Sequence, residues 1–394
     1  MLTMATATGT GADLRRARLA IAAAFLTQGL VFISLTTRLP RIQDRWDLDE
    51  LALSGVLLMM VLLAGVGSLV AEKLAPRLDS AVVLRAGLVV IAVSVAVLVL
   101  APVTAVFVLG LAAYGVGLGI VDATGNMQAV ALEHRLGRVV LPSCHGAWTL
   151  GGVIGAVLTL ATTDVPWSAL AALALLPLAA AAAPYLARDS GEAATSTDTD
   201  VPWRAIVMIG LALVVFYTVD TAASTWGPVY LDDVFRAPEE LVALATLPYL
   251  VASGLVRLVG DRLTEQVGAV RLLRVGAAIA LVSLAVIVAA PTWPVAVLGF
   301  TLLGCGVAVV APLSFSAAAA LAGRDADPAT RQARVDAVVA RFNQFNYAGA
   351  LLGAVMTGAV GSSSLRVGFA VPLVLVVALF WLARAFAPAD DPSV

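Results

Sequence analysis

Charge is what this sequence has least of. Its 26 acidic and 24 basic side chains make up 13% of 394 residues, where soluble domains carry about 25%. With 61% hydrophobic residues and a mean hydropathy of +0.98, no soluble fold hides this much apolar side chain, so the bilayer is expected as part of the solvent. Lysine is nearly missing: Lys73 stands alone beside the arginines. The two cysteines, Cys144 and Cys305, sit far apart in apolar runs and argue for neither a disulfide framework nor a metal site. A net charge of −2 without a basic stripe argues against a nucleic-acid surface. No P-loop is present, against an ATP-driven pump. No metal-ligand cluster, nucleophile–base pair or sizeable soluble domain is visible, so neither an enzyme nor a cofactor is expected. Arg15, Arg16 and Arg18 precede the first apolar run without a small-residue cleavage site, so that run is expected to be kept as a span.

What is there is a series of apolar segments long enough to cross a bilayer, at about 20 residues each. Twelve spans are predicted, at roughly 17–37, 51–71, 81–101, 104–131, 141–162, 167–187, 204–230, 240–260, 269–290, 293–321, 333–360 and 365–386. With the N-terminus inside, 19 of the 24 basic residues fall on the inner side. Only Arg38, Arg41, Arg45, Arg236 and Arg366 fall outside. The positive-inside rule thus predicts cytoplasmic termini. The polar stretch RDSGEAATSTDTDVPW, 188–203, reads as a flexible linker between halves 1–187 and 204–394. The halves repeat. LVAEKLAPR at Leu69 matches LVGDRLTEQ at Leu258, and Gly115 and Gly117 match Gly304 and Gly306, all by 189 positions. Pro40 matches Pro228 by 188, and GGVIGAV at Gly151 matches GALLGAV at Gly349 by 198. A six-span repeat in register is the mark of a duplicated transporter.

Twelve spans in a 6+6 repeat, with charged loops after spans two and eight, resemble the major facilitator superfamily. Its loop signature is Gly-x-x-x-Asp-Arg-x-Gly-Arg-Arg. In the first copy Ser68 stands for the glycine, Glu72 for the aspartate, Lys73 for the arginine and Ala75 for the second glycine; the second copy keeps Gly260-Asp261-Arg262 and Gly268. RLPRIQD (38–44), DATGNMQAVALEHRLGR (122–138), SCHGAWTLGG (143–152), WGPVYL (226–231) and RLVGDRL (257–263) resemble a bacterial branch of facilitators related to the fucose permease. The resemblance implies an all-α membrane protein of two pseudo-symmetric six-helix bundles, monomeric, in a bacterial inner membrane. It also implies gating roles for Glu72, Lys73, Arg77 and Glu133 in one half and for Arg257, Asp261 and Arg262 in the other. The rival reading of these charges is topology alone.

Several polar residues lie inside predicted spans. Asp122 sits eleven residues before Glu133, about 16 Å deeper at 1.5 Å per residue, near the bilayer midplane. A carboxylate there is costly unless it faces a wet cavity or a partner, so it is either a cavity group or a structural acid. Asn126 shares its face. His145, the one intramembrane histidine, either titrates with this acid or is neutral and bonded to Gln128 or a carbonyl. Asn343, Asn346 and Tyr347 cluster in one turn of span eleven, for substrate contact or for helix–helix bonding. By resemblance, Asp220 occupies a position where relatives often carry glutamate; its rival role is pairing with Arg38. Trp226 either stacks on a sugar ring or belongs to the interfacial belt. The expected function is proton-coupled secondary transport of a small polar organic solute, sugar-like or another metabolite. The alternatives are a proton-antiport exporter of drugs or natural products, and a non-transporting membrane sensor.

Overall fold

The computed structural model describes residues 11–36, 38–48, 50–162, 165–187, 203–237, 241, 244–324, 326–327, 331–361 and 364–387. The expected linker 188–203 lies outside the described residues except for Trp203. Among the described residues there is no β-strand. In the first half, α1 (Gly11–Thr36), a short amphipathic α2 (Leu39–Trp46), α3 (Glu50–Leu78), α4 (Ser80–Leu100), α5 (Thr104–Leu136) and α6 (Leu141–Ala161) are followed by a 3₁₀ segment (Trp167–Ala174) that runs into α7 (Leu175–Ala181). The second half holds α8 (Trp203–Thr221), a π turn (Ala222–Trp226) and α9 (Gly227–Phe235) as one rod, then α10 (Leu247–Val267), α11 (Ala269–Ala289), and α12 (Trp293–Val307) with α13 (Val310–Gly323). The last two rods are α14 (Arg331–Phe342) with α15 (Gln344–Val360), and the short helices α16 (Leu365–Gly368), α17 (Ala370–Val376) and α18 (Ala378–Leu382).

These make twelve rods, nine of which are long and apolar enough to cross a membrane among the described residues. The other three depart for physical reasons. The sixth rod ends at Ala181 rather than near residue 187, because Pro184 disfavours helix in the residue before it. The eighth runs over Leu247–Val267 and carries Arg257, Asp261, Arg262 and Glu265 along its length; part of the expected stretch before it, from 240, lies outside the described residues. The eleventh is interrupted at Asn343, between α14 and α15. Leu19, Leu109, Val374 and Trp381 are exposed, as side chains facing lipid should be.

The sequence repeat returns as a repeat of contacts. A Cβ on Gly115 would lie 2.6 Å from the carbonyl oxygen of Met60, and one on Gly304 would lie 2.3 Å from that of Tyr249. Both pairs are related by 189 positions. A Cβ on Gly155 would likewise lie 2.6 Å from the carbonyl oxygen of Leu30, and one on Gly353 2.4 Å from that of Thr218. Small residues thus let α3 and α5, α10 and α12, α1 and α6, and α8 and α15 approach closely. Even the turns match: Asp79 before α4 has φ 84° and ψ 134°, and Gly268, 189 positions on, has φ 81° and ψ 149°. Between the halves, α6 packs on α10 and α3 on α14.

Candidate functional site

Asp122 projects from α5 toward the second half, where the break in the eleventh rod presents two amides. The Nδ2 groups of Asn343 and Asn346 donate to Asp122 Oδ2 at 2.8 and 3.2 Å. The side chains of Tyr347 and of Gln28 of α1 also lie close to this carboxylate. A carboxylate of one bundle is therefore held by amides of the other. Asn343 Oδ1 is buried and has no hydrogen-bond partner, which leaves one acceptor unsatisfied beside the acid.

Asn126 lies one turn along α5, and its Nδ2 donates to the Asp122 carbonyl at 2.8 Å. Its Oδ1 lies 3.1 Å from Nε2 of His145. The histidine partner is thus Asn126, not Gln128. Gln128 instead clamps the chain after α7, receiving the Leu186 N–H and donating to the Leu186 carbonyl and Ser80. His145 packs against Phe25 and Phe315. Thr149, one turn on, donates to the His145 carbonyl and accepts from Nη1 of Arg257 at 2.8 Å.

Asp220, near the end of α8, accepts a hydrogen bond from the Tyr249 hydroxyl. It does not pair with Arg38, which bonds Ser34, Thr159 and Thr162 within the first half. Tyr217 lies within Coulombic reach of Asp122, Asp220 and Arg257, and so ties these groups to one locale. Trp226 donates its indole N–H to the Ala354 carbonyl, a bond between helices. Sequence reasoning missed Gln28, Tyr217, Tyr249 and Thr149. Gln28 carried the same signal as Asp122, a polar side chain inside an apolar run; the others carried none.

The loop charges gather at one end of the molecule, the end that holds Gly137. Glu72 of α3 pairs with Arg341 of α14. Asp261 of α10 accepts from the Ser143 N–H at 2.9 Å and pairs with Arg18 at 3.1 Å. These two contacts are repeat mates: Glu72 and Asp261 differ by 189 positions, Ser143 and Arg341 by 198. Glu133 does not meet Glu72 or Lys73. Its Oε1 caps the start of α6 at the N–H groups of Val140 and Leu141, and its Oε2 accepts from Ser316 of the second half at 2.8 Å. Lys73, Arg77 and Arg262 are exposed and make no ion pair among the described residues, so the structure does not bring them to the latch. Arg257 is buried deeper, away from that surface. No group of three or more metal-ligating side chains occurs among the described residues.

The profile of the Major Facilitator Superfamily matches residues 6–140 and 144–331. An uncharacterized MFS-type transporter of Yersinia pestis is 27% identical over 373 residues, covering 92% of this chain and 94% of that protein. An uncharacterized transporter of Sinorhizobium fredii is 28% identical over 313 residues, covering 76% and 81%. Among solved structures, the MFS transporter FucP in its outward conformation superposes with a TM-score of 0.74 at 14% identity, covering 94% of this chain and 99% of that one. The human organic anion transporter MFSD10 does so with the same score, identity and coverage. A multi-pass, all-helical chain with two repeated bundles, matched by this profile over most of its length, belongs to the major facilitator superfamily and is a secondary transporter of small molecules, not an enzyme.

Proposed function

We propose that this protein imports a small polar organic solute together with protons, and that Asp122 is the group that joins the two. The observation that carries this reading is the clasp of Asp122 by Asn343 and Asn346 across the two halves. Hydrogen bonds to an ionised carboxylate are roughly twice as strong as neutral ones. A proton on Asp122 weakens the clasp and frees the amides for a solute, which couples protonation to rocking of the bundles. A fold neighbour is a fucose:proton symporter, in keeping with this coupling. The working units are 1–187 and 204–394, joined by 188–203, and the unit of function is the monomer. The positive-inside count and bacterial relatives support a bacterial inner membrane, with both termini and the Gly137 end in the cytoplasm. The inter-half contacts of Glu72, Glu133 and Asp261 then close the inner face, and the site opens outward. Asn126, His145, Asp220, Asn343, Asn346 and Tyr347 complete the site.

The test is a thermal-stability panel of sugars, organic acids and lipophilic cations at pH 5.5 and 7.5, on the wild type and Asp122→Asn. The reading expects a polar solute to raise the melting temperature, with a pH dependence that the variant loses. Stabilisation by lipophilic cations alone, unchanged in the variant, overturns it in favour of export. Binding of a polar solute without uptake into proteoliposomes favours a sensor.

A further inference from the structure

Arg257 is a buried cation whose guanidinium forms no direct ion pair among the described residues. It is 6% exposed. Its Nε donates to the Ala308 carbonyl at 2.9 Å and its Nη1 to Thr149 Oγ1 at 2.8 Å, both neutral acceptors. Phe216 lies beneath the guanidinium, 5.7 Å from ring centroid to Cζ. Among the described residues it forms no ion pair, and Nη2 has no partner. The nearest opposite charge is Asp220, within Coulombic reach, but no hydrogen bond joins the two, and the carboxylate is bonded instead by the Tyr249 hydroxyl. Position 257 is the repeat mate of Ser68, so a long cation stands where the loop signature has its first glycine. A buried charge without a directly bonded counter-ion is costly in any low-dielectric setting. A chain keeps one where a ligand supplies the missing charge.

We propose that Arg257 is the anchor for an anionic group of the solute, and that the transported class is a hydroxylated organic anion, such as a hydroxy acid or sugar acid. The guanidinium fork suits a carboxylate, for which a lysine would offer charge without the matched geometry. The hydroxyl requirement comes from Asn343 Oδ1, a buried acceptor in the same locale with no donor. A solute hydroxyl supplies that donor while its carboxylate meets Nη2. This inference rests on the transporter reading above, and names the chemistry of that site.

The experiment measures binding to purified full-length protein by thermal shift for three matched pairs: gluconate and glucitol, glucuronate and glucose, salicylate and 2-hydroxybenzyl alcohol. Wild type, Arg257→Gln and Arg257→Lys are compared. In at least one hydroxylated pair the acid is expected to bind ten-fold or more tighter than its neutral partner. Arg257→Gln removes that preference, and Arg257→Lys retains it in weakened form. Unliganded Arg257→Gln is expected to melt no lower than the wild type, because a buried charge without a direct ionic partner is gone; a purely structural Arg257 would give a lower value. Equal binding of acid and neutral partner in the wild type overturns the inference while leaving the transporter reading intact. So does an acid preference that survives in Arg257→Gln. Should Arg257→Gln not fold, acid affinity unchanged in Arg257→Lys overturns the fork. Failure of every polar ligand, acidic or neutral, overturns both readings.

Discussion

Asn126 fixes the chemistry of its neighbour. Its amide nitrogen is committed to the Asp122 carbonyl, so its oxygen must face His145, and Nε2 of the histidine must carry a proton. This is a bond a glutamine can imitate. His145→Gln is expected to fold and to keep the pH response of solute binding, whereas His145→Ala leaves Asn126 Oδ1 buried without a donor and costs about 1–3 kcal/mol; melting curves with and without solute at two pH values decide. If His145→Gln abolishes the pH response, the histidine titrates in the cycle. The sequence made polar residues in this region easy to pick out, since each interrupts an apolar run. It left their partners open. Asn126 and Gln128 are two residues apart on one helix, yet one turns to the site and the other holds the chain at Leu186. Which stripe faces which neighbour is set by packing of other helices, and no local pattern encodes it.

At the scale of elements, the repeat was the most legible feature, because close helix crossings demand small residues at fixed places. The 189-position shift, visible as matched glycines, reappears as matched approaches to Met60 and Tyr249. This gives a sharp expectation. A Cβ on Gly119 would lie 1.8 Å from the Ala64 carbonyl oxygen, backbone that cannot step aside, while one on Gly55 meets nothing within 4 Å. Gly119→Ala is expected to cost about 3 kcal/mol or more, at the upper end of overpacking. Gly55→Ala is expected to be neutral or to stabilise by about 0.4–1 kcal/mol, through helix propensity and a less flexible unfolded chain. Comparing the two in detergent melting curves checks the crossing, and similar curves would contradict it. What the sequence hid are the irregularities: the 3₁₀ start of the sixth rod, the π turn at Ala222–Trp226, and the break at Asn343. The break matters most, since it is where Asn343 and Asn346 meet Asp122. Its residues are not helix breakers, so only tertiary contacts reveal it.

At the scale of the molecule, the two bundles touch through paired latches at the Gly137 end and through the Asp122 clasp deeper in. The latches are symmetric in place and unequal in strength: Asp261 holds both Ser143 and Arg18, while Glu72 holds Arg341. Asp261→Ala is therefore expected to loosen that end more than Glu72→Ala, read as faster alkylation of Cys144, which is buried beside Ser143 in the closed form. Equal rates for the two variants would contradict this ordering. Loop motifs made both acids visible in the sequence, but Arg18 and Arg341 lay outside any motif.

The most direct test of the central claim needs no substrate. Spin labels at Arg138→Cys and Gln266→Cys, both exposed and on opposite halves at the Gly137 end, report whether that end is open, in a background with Cys144 and Cys305 replaced by alanine. If protonation of Asp122 releases the clasp, the long-distance population rises in the wild type as pH falls from 7.5 to 5.5. Asp122→Asn, a stand-in for the protonated acid, then shows the long population at both pH values. A pH response that persists unchanged in Asp122→Asn, or none in the wild type, would contradict the account.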